Sequence, residues 1–330
     1  MGSGVTIYDI ARAAGVGIAT VSRVINGDAH VRPNTRANVQ QAIAELGYRP
    51  SRAARRLAQG GESRPRVAAL VPFFTAVFYF TVTRSLSIGL REDDIDLVLH
   101  DIKTRDDKNR VLDRLIAERT CEGLVFFSCS VSQERAEQLS RLGIPAVCGD
   151  FRSDTLPSVY VDNYQGGTDA VNYLRRCGSR KPALIGGPTT ATALVEREQA
   201  FIETEGEDAP RIRCRAIEPE AAKVAVLELL EQQPGIDGLV CVNDMIAVGA
   251  MAALEQLGRR VPDDIQVIGF DDQPLMEYIG LTTIRQPIAK FGRWTASSIA
   301  KRIAKPTTEV RSKELPLELI ARRTTREPQN

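Results

Sequence analysis

Two short apolar-periodic stretches between Ile7 and Asn26 are separated only by Gly15-Val16-Gly17, and so short a link between helices permits only a sharp turn. In the first stretch Ile7, Ile10, Ala11 and Ala14 recur at the three-and-four spacing that gathers apolar side chains on one helical face; Tyr8, Asp9 and Arg12 fall elsewhere. The second, from about Ile18 to Asn26, turns Val21, Val24 and Ile25 toward the first and Thr20, Ser22, Arg23 and Asn26 outward. A third helix is expected from Pro33, whose preset φ suits a first helical turn, through Val39, Ile43 and Leu46 to a stop at Gly47. Together they form a helix-turn-helix closed by a small core.

Charge separates this head from the rest of the chain. The first sixty residues carry eight arginines and no lysine against Asp9, Asp28 and Glu45, a net of +5, while the remainder is −4. A near-neutral total of +1 therefore hides a basic head, the electrostatic footprint of a phosphate-binding surface. The six cysteines (121, 129, 148, 177, 214, 241) form no C-x-x-C pair and sit mostly in or beside apolar runs, which reads as buried reduced thiols. With only His30 and His100, neither a histidine-based metal site nor a Ser/His/Asp or Cys/His constellation can be assembled. No enzyme activity, metal or cofactor is expected. The absence of a long apolar run or of a basic-then-apolar leader implies a cytoplasmic protein without a membrane partner.

Beyond Gly60-Gly61-Glu62-Ser63-Arg64-Pro65, a linker signal, short apolar runs alternate with amphipathic helices. Strands are expected at 67–71, 96–99, 123–127, 145–148 and 159–161, with helices at 78–91, 107–118 and 133–142 between them. A second series follows: strands at 182–186, 212–217, 238–242 and 265–269, and helices at 164–176, 192–205, 220–231 and 244–257. Such alternation builds parallel sheets flanked by helices, and two series suggest two doubly wound α/β lobes with a ligand cleft outside the carboxyl ends of their strands. A dinucleotide or nucleotide enzyme would need G-x-G-x-x-G or G-x-x-x-x-G-K-[ST], and neither occurs; Gly186-Gly187-Pro188 lacks the third glycine.

Particular residues add to these patterns. VTIYDIARAAGV followed by TVSRVINGDAHV, TR, AIAELGYRP and SRAARRLA resembles the lactose-repressor family of bacterial transcription regulators, and the resemblance covers essentially the whole chain. In the core it runs through Ile185-Gly186-Gly187-Pro188, Arg197 in REQAF, Val242-Asn243-Asp244, Val267-Ile268-Gly269-Phe270-Asp271-Asp272 and Leu281-Thr282-Thr283-Ile284-Arg285-Gln286-Pro287. It implies a helix-turn-helix head at 5–50, a hinge helix and linker at 51–64, and a two-lobed periplasmic-binding-protein-like core at 65–330. The chain would cross between lobes three times, with the N-lobe at about 65–162 and 288–317 and the C-lobe at about 163–287 plus the tail. It further implies a homodimer that reads a pseudo-palindromic operator in double-stranded DNA, acting as a repressor of carbohydrate genes under a sugar-type effector. Family tetramers carry an extra C-terminal heptad helix, and the run from Arg322 to Asn330 has none, so a dimer is expected. A corepressor-requiring regulator is the alternative within this class; a sugar receptor without a DNA role would need a signal peptide and no basic head.

The resemblance carries base reading onto Ile18, Ala19 and Arg23. Arg23 can fork two N–H donors onto guanine O6 and N7, whereas Ile18 and Ala19 offer only apolar contact. Thr6, Tyr8, Thr20, Ser22, Asn26 and His30 match phosphate-contacting or orienting positions. Ser51 can cap a helix over 52–58, which the resemblance makes the minor-groove hinge, with Leu57 wedging a base step, Ala54 permitting close approach and Arg55 reaching phosphate. In the cleft, Asp271 can accept two vicinal hydroxyls while Arg197 donates back, and the Asn243 amide donates and accepts. Phe73, Phe78 and Tyr79 complete the expected effector wall; Phe74 and Phe80 are assigned to helix core. Phe73, Ala76 and Val77 stand where the family commonly has an acid or amide and Asn-Pro, and no aromatic residue lies between Phe201 and Phe270, so a stacked nucleobase is disfavoured.

Overall fold

The computed structural model describes residues 7–25, 28, 30–46, 64–72, 76–188 and 192–329. Thr6, Asn26, Gly47, Ala54, Arg55, Leu57, Phe73 and Phe74, with the hinge segment 51–63, lie outside the described residues. Two compact units divide at Pro65 and Arg66.

The first unit holds α1 (Ile7–Ala13), α2 (Ile18–Ile25) and α3 (Pro33–Leu46). Gly15 makes the turn after α1 at φ +63°, a left-handed conformation cheap only without a Cβ, and Val16 N–H closes it on Ala11 C=O at 3.0 Å. The core is Ile10, Ala11, Val21, Val24, Val39 and Ala42, with Ile7, Ile25 and Ile43 at its margin. One expectation fails here: Leu46 lies exposed, because the inward stripe of α3 is set by Val39 and Ala42 and the helix has turned away from its neighbours by its last residue.

The second unit contains two six-stranded sheets. The first runs β1 (Arg66–Pro72), α4 (Val77–Glu92), β2 (Asp96–Ile102), α5 (Arg105–Glu118), β3 (Gly123–Phe127), α6 (Gln133–Arg141), β4 (Ala146–Gly149) and β5 (Ser158–Tyr160). The chain then enters α7 (Asn163–Arg176), β6 (Pro182–Gly186), α8 (Thr192–Glu205), β7 (Arg211–Arg213), α9 (Pro219–Gln232), β8 (Gly238–Cys241), α10 (Asp244–Gln256), β9 (Gln266–Asp271), α11 (Met276–Ile279) and β10 (Thr282–Arg285). It returns through α12 (Ile288–Ala304) and β11 (Lys313–Glu314), and crosses again to β12 (Glu318–Ile320). Strand order is β11-β5-β4-β3-β1-β2 in one sheet and β12-β10-β9-β8-β6-β7 in the other. All pairings are parallel except β10 with β12. The segments after residue 271, which sequence reading did not assign to elements, thus supply β11 to the first sheet and β10 and β12 to the second.

Continuous apolar strands follow from helices covering both faces of a parallel sheet. Along β3, Val125 and Phe127 enter one core with Val67, Ala69 and Val71, while Leu124 and Phe126 enter the opposite one with Ala68 and Leu70. The second lobe gathers one larger core around Leu184, Phe201, Val240 and Ile268. Its sheet is extended by the tail, where Thr324 accepts from Thr282 N–H at 2.8 Å and donates to Val267 C=O at 2.8 Å. The cysteines are unpaired, five buried and Cys129 half-buried. Among the described residues, no helix is long and apolar enough to cross a membrane.

Helix α12 joins the first lobe by lying close against α4. A Cβ at Gly292 would sit 2.5 Å from both Val82 C=O oxygen and Leu86 backbone nitrogen, neither of which can yield without moving the helix. Gly292→Ala is therefore expected to lower stability by about 1–3 kcal/mol, the usual range for overpacking. A urea unfolding midpoint equal to that of the parent protein would refute this packing argument.

Candidate functional site

In the head, the residues singled out for base contact lie on the outer surface of α2. Ile18, Ala19 and Arg23 are exposed, Thr20 and Ser22 half-buried, and Tyr8 and His30 exposed on their own segments. Gly17 begins the helix with its carbonyl, accepting from Thr20 and Val21 N–H groups at 2.9 and 3.1 Å. A contact not anticipated from sequence orders this face. The Asp28 carboxylate accepts from His30 N–H at 2.9 Å, lies 3.0 Å from His30 Nδ1, and stands 3.9 Å from Arg23 Nε. Those His30 hydrogen bonds hold the Asp28 carboxyl below its ordinary pKa, so it stays ionised beside Arg23.

In the second unit, a cleft of about 690 Å³ opens between the two sheets. Phe78, Tyr79, Arg197, Asn243 and Asp271 line it together, although they come from α4, α8, the start of α10 and the end of β9. Parallel strands all point their carboxyl ends at the opposite lobe, which is why residues scattered over nearly two hundred positions converge there.

At the floor is a buried ion pair. Arg197 and Asp271 are 5% and 4% exposed, with Arg197 Nη1 3.5 Å from Asp271 Oδ1. The guanidinium donates from Nε and Nη2 to Asn163 Oδ1 at 3.0 and 2.8 Å and from Nη1 to Val242 C=O at 2.7 Å; its centre lies 3.5 Å above the Phe270 ring. Asp271 accepts from Gln286 at 2.5 Å and Gln273 at 3.3 Å. Burial pushes the Asp271 carboxyl up, with Arg197 opposing, and pulls the Arg197 guanidinium down, with Asp271 opposing. Asp244, directly behind, is raised well above the carboxylate range by burial and then by Asp271; it accepts from Gln273 N–H and Thr283 hydroxyl, each at 2.7 Å.

Asn243 plays a narrower part than expected. Its Oδ1 accepts Ile246 N–H at 2.9 Å and caps α10, which leaves the amide NH₂ as its contribution to the cleft. Phe78 stands edge-on to Tyr79, with centroids 5.1 Å apart and planes at 87°. Phe80, expected in the helix core, is instead 63% exposed, because two residues beyond Phe78 on α4 the helix has turned its opposite face outward.

Sequence reading missed the polar floor of the first lobe. Tyr79 hydroxyl donates to Ser128 Oγ at 2.5 Å; Ser128 in turn donates from N–H and Oγ to the Asp150 carboxylate at 2.6 and 2.5 Å. Ser128 and Asp150 directly follow β3 and β4, with φ of +44° and +63°, as Asp271 ends β9 at φ +113°. Non-glycine residues in this region cost about 1–3 kcal/mol each and persist where packing dictates them. The rule that ligands meet strand carboxyl ends, applied to Val125-Phe126-Phe127-Ser128 and Val147-Cys148-Gly149-Asp150, points to both. Lys103, Arg215, Gln273 and Gln286 also line the cleft. Among the described residues, no group of three or more His, Cys, Asp or Glu side chains is placed to hold a metal.

Known proteins place this arrangement in a family. Residues 6–51 match the family described as bacterial regulatory proteins, lacI family, and residues 171–325 match a periplasmic binding protein-like domain. The ribose operon repressor of Halalkalibacterium halodurans is 31% identical over 330 residues, covering 98% of each protein. This chain belongs to the lacI family. Among solved structures, the lacI-family chain is similar to the transcriptional regulator CelR in complex with cellobiose, at 30% identity, 97% coverage of this chain and 99% of that one, and TM-score 0.68. It is also similar to the Lac repressor dimer bound to operator and the anti-inducer ONPF, at 25% identity, 98% and 100% coverage, and TM-score 0.70. As a lacI-family member it is a DNA-binding transcriptional regulator and not an enzyme.

Asp150 gives the cleft a pH signature. Burial pushes its carboxyl up from 3.8 to about 7, so folding favours the protonated form. That preference is fully present below the unfolded value near 4 and is lost as pH rises through about 7, so stability should fall across this window. Asp244 and Asp271, also raised, act in the same direction. Asp150→Asn keeps an acceptor for Ser128 but removes the ionisation, and should flatten the unfolding free energy measured between about pH 5 and 8. An unaltered slope would refute the assignment.

Proposed function

We propose that this lacI-family regulator is a homodimeric repressor of carbohydrate-metabolism genes, cytoplasmic and nucleoid-associated when bound, whose hold on a pseudo-palindromic operator is set by a sugar-type effector. The observation that carries the reading is how the Arg197–Asp271 pair is supported. Arg197 is held by Asn163, just past the crossover from β5 to α7, and Asp271 by Gln286, on the crossover from β10 to α12. A ligand that engages this pair therefore pulls on the two segments about which the lobes turn. Arg197 donors and the Asp271 and Asp150 carboxylates suit hydroxyls, which both donate and accept, while Phe78 offers a face for sugar C–H groups. The cellobiose complex of CelR and the name of the ribose operon repressor support a carbohydrate effector. The operator-bound Lac repressor dimer supports paired heads.

On this reading the chain is divided into the head at 5–50, the hinge at 51–64 and the core at 65–330, with lobes at about 65–162 plus 288–317 and 163–287 plus the tail. Ile18, Ala19 and Arg23 read bases; Thr6, Tyr8, Thr20, Ser22, Asn26 and His30 contact or orient phosphates; Ala54, Arg55 and Leu57 serve the minor groove. Phe73, Phe78, Tyr79, Arg197, Asn243 and Asp271 form the effector set. Coupling between cleft and head is expected at about 1–3 kcal/mol, or roughly 5–150-fold in operator affinity.

Operator selection from a random duplex pool, followed by titration with a sugar panel, tests both sites. Arg23→Ala should relax preference at one base pair per half-site by about 1–3 kcal/mol while leaving thermal unfolding unchanged. Phe78→Ala, which spares the ion pair, should weaken the sugar response without altering affinity for the operator alone. Operator affinity indifferent to every sugar in the panel would overturn the effector reading, and unchanged base preference in Arg23→Ala would overturn the head assignment.

A further inference from the structure

The cleft is not electrically uniform from one edge to the other. Its acids cluster toward the crossovers: Asp150 follows β4 and Asp271 ends β9, both inner strands of their sheets, and each accepts two protein hydrogen bonds with acceptor capacity left over. At the far edge the first sheet ends in β2 and the second in β7. Lys103 directly follows β2, and Arg215 lies two residues beyond β7; both line the cleft and both are exposed. Among the described residues, neither the Lys103 ammonium nor the Arg215 guanidinium has a hydrogen-bond or ion-pair partner. Glu218 is the one acid lining the cleft that belongs to this side, in the same segment as Arg215, and it offsets only part of the two positive charges.

We propose that the effector is an anionic sugar derivative, a phosphate ester or a sugar carboxylate, whose charged group is held between Lys103 of one lobe and Arg215 of the other. This rests on the reading of the cleft as a sugar site and specifies its ligand class. The physical argument is complementarity along one axis. The hydroxyl-recognising groups Arg197, Asp271 and Asp150 occupy the crossover side, and Phe78, Ile217 and Met245 supply apolar wall. A ligand spanning the cleft thus meets hydroxyl partners at one end and two cations at the other.

The same placement provides a reason for closure to depend on the anion. Drawing the lobes together brings two like charges toward one another as water is excluded, which raises their repulsion. A phosphate or carboxylate between them converts that repulsion into two charge-assisted contacts. Arg215 can grip two oxygens with its planar fork, and Lys103 adds a mobile point charge from the opposite wall. A neutral sugar fills the inner part of the cleft but leaves both cations uncompensated, so it favours the closed form less.

The test is thermal unfolding of the full chain at constant ionic strength, with ribose and ribose 5-phosphate, glucose, glucose 6-phosphate and glucuronate, and inorganic phosphate as probes. Constant ionic strength separates binding from general screening. The expected result is that an anionic member raises the unfolding temperature at concentrations at least tenfold below those its neutral parent requires. Phosphorylated and carboxylated members of the glucose set distinguish the two anion chemistries. Lys103→Met and Arg215→Met, both exposed positions, should each weaken the anionic ligand at least tenfold and leave the neutral parent unchanged, and Lys103→Arg should retain binding. A neutral sugar that binds as tightly as its anionic derivatives, with no effect of either methionine variant, would overturn the proposal while leaving the sugar cleft standing. A chain that responds to no probe, charged or neutral, would overturn both.

Discussion

A guanidinium sealed from water has to be neutralised and given acceptors, and the second unit is arranged around that requirement at Arg197. Removing one partner of such a pair typically costs about 3–5 kcal/mol, because the remaining charge is stranded in a poor dielectric. Here the compensation is drawn from far apart in the chain: Asn163, Val242, Phe270 and Asp271. None of these reaches Arg197 unless β8, β9 and α7 are already in register around α8. The charge therefore works as a check on assembly as well as a feature of the cleft. Its supporting amides, Asn163 and Gln286, lie on or beside the segments that join the lobes, so the cleft floor is hydrogen-bonded directly to those segments.

The carboxylates behind it follow the same logic with a different result. Asp271 faces Arg197 and two amides, Asp150 faces Ser128, and Asp244 faces a backbone N–H and a threonine hydroxyl. Burial raises all three, but only Asp271 has a full positive charge at contact distance to oppose it. Three buried acids at strand ends are expensive for a fold, and the left-handed backbone of Ser128, Asp150 and Asp271 at the same points adds to that cost. Stability has been given up at the strand carboxyl ends, where ligands of such folds bind.

How much of this was legible depends on the range of the interaction involved. The alternation of strands and helices from 67 to 269 was readable because each element is dictated by its own periodicity, and the observed boundaries differ from that reading by a few residues. After Asp271 the reading stopped short: α12 carries a helical period in Ile288, Phe291, Thr295 and Ile299 that was not assigned, whereas α11 with four residues, β11 with two and β12 with three are too short to show a period and owe their existence to the neighbours that hold them. Among cleft residues, Arg197, Asn243 and Asp271 carried recognisable family motifs; Ser128 and Asp150 sit in no motif and are reached from sequence only through the strand-end rule, while Lys103 and Arg215 emerge only when strand ends are brought together in space. Phe80 shows the reverse error. Local sequence made it one of a cluster of aromatics, and helix phase put it outside.

The sequence by itself determined the class of each unit and the type of chemistry available to it. The Gly15-Val16-Gly17 link, the arginine-rich head and the two βα series are local or additive properties, and such properties survive without knowledge of the fold. Tertiary structure alone decided that Asn243 spends its oxygen on a helix cap, that Asp28 stands beside Arg23, and that Lys103 and Arg215 line the same cleft as Asp150 and Asp271. Those outcomes depend on which strand lies next to which, and strand order is set by packing between residues distant in the chain. No window of sequence contains that information, because the forces that choose it act between segments that only the folded chain brings into contact.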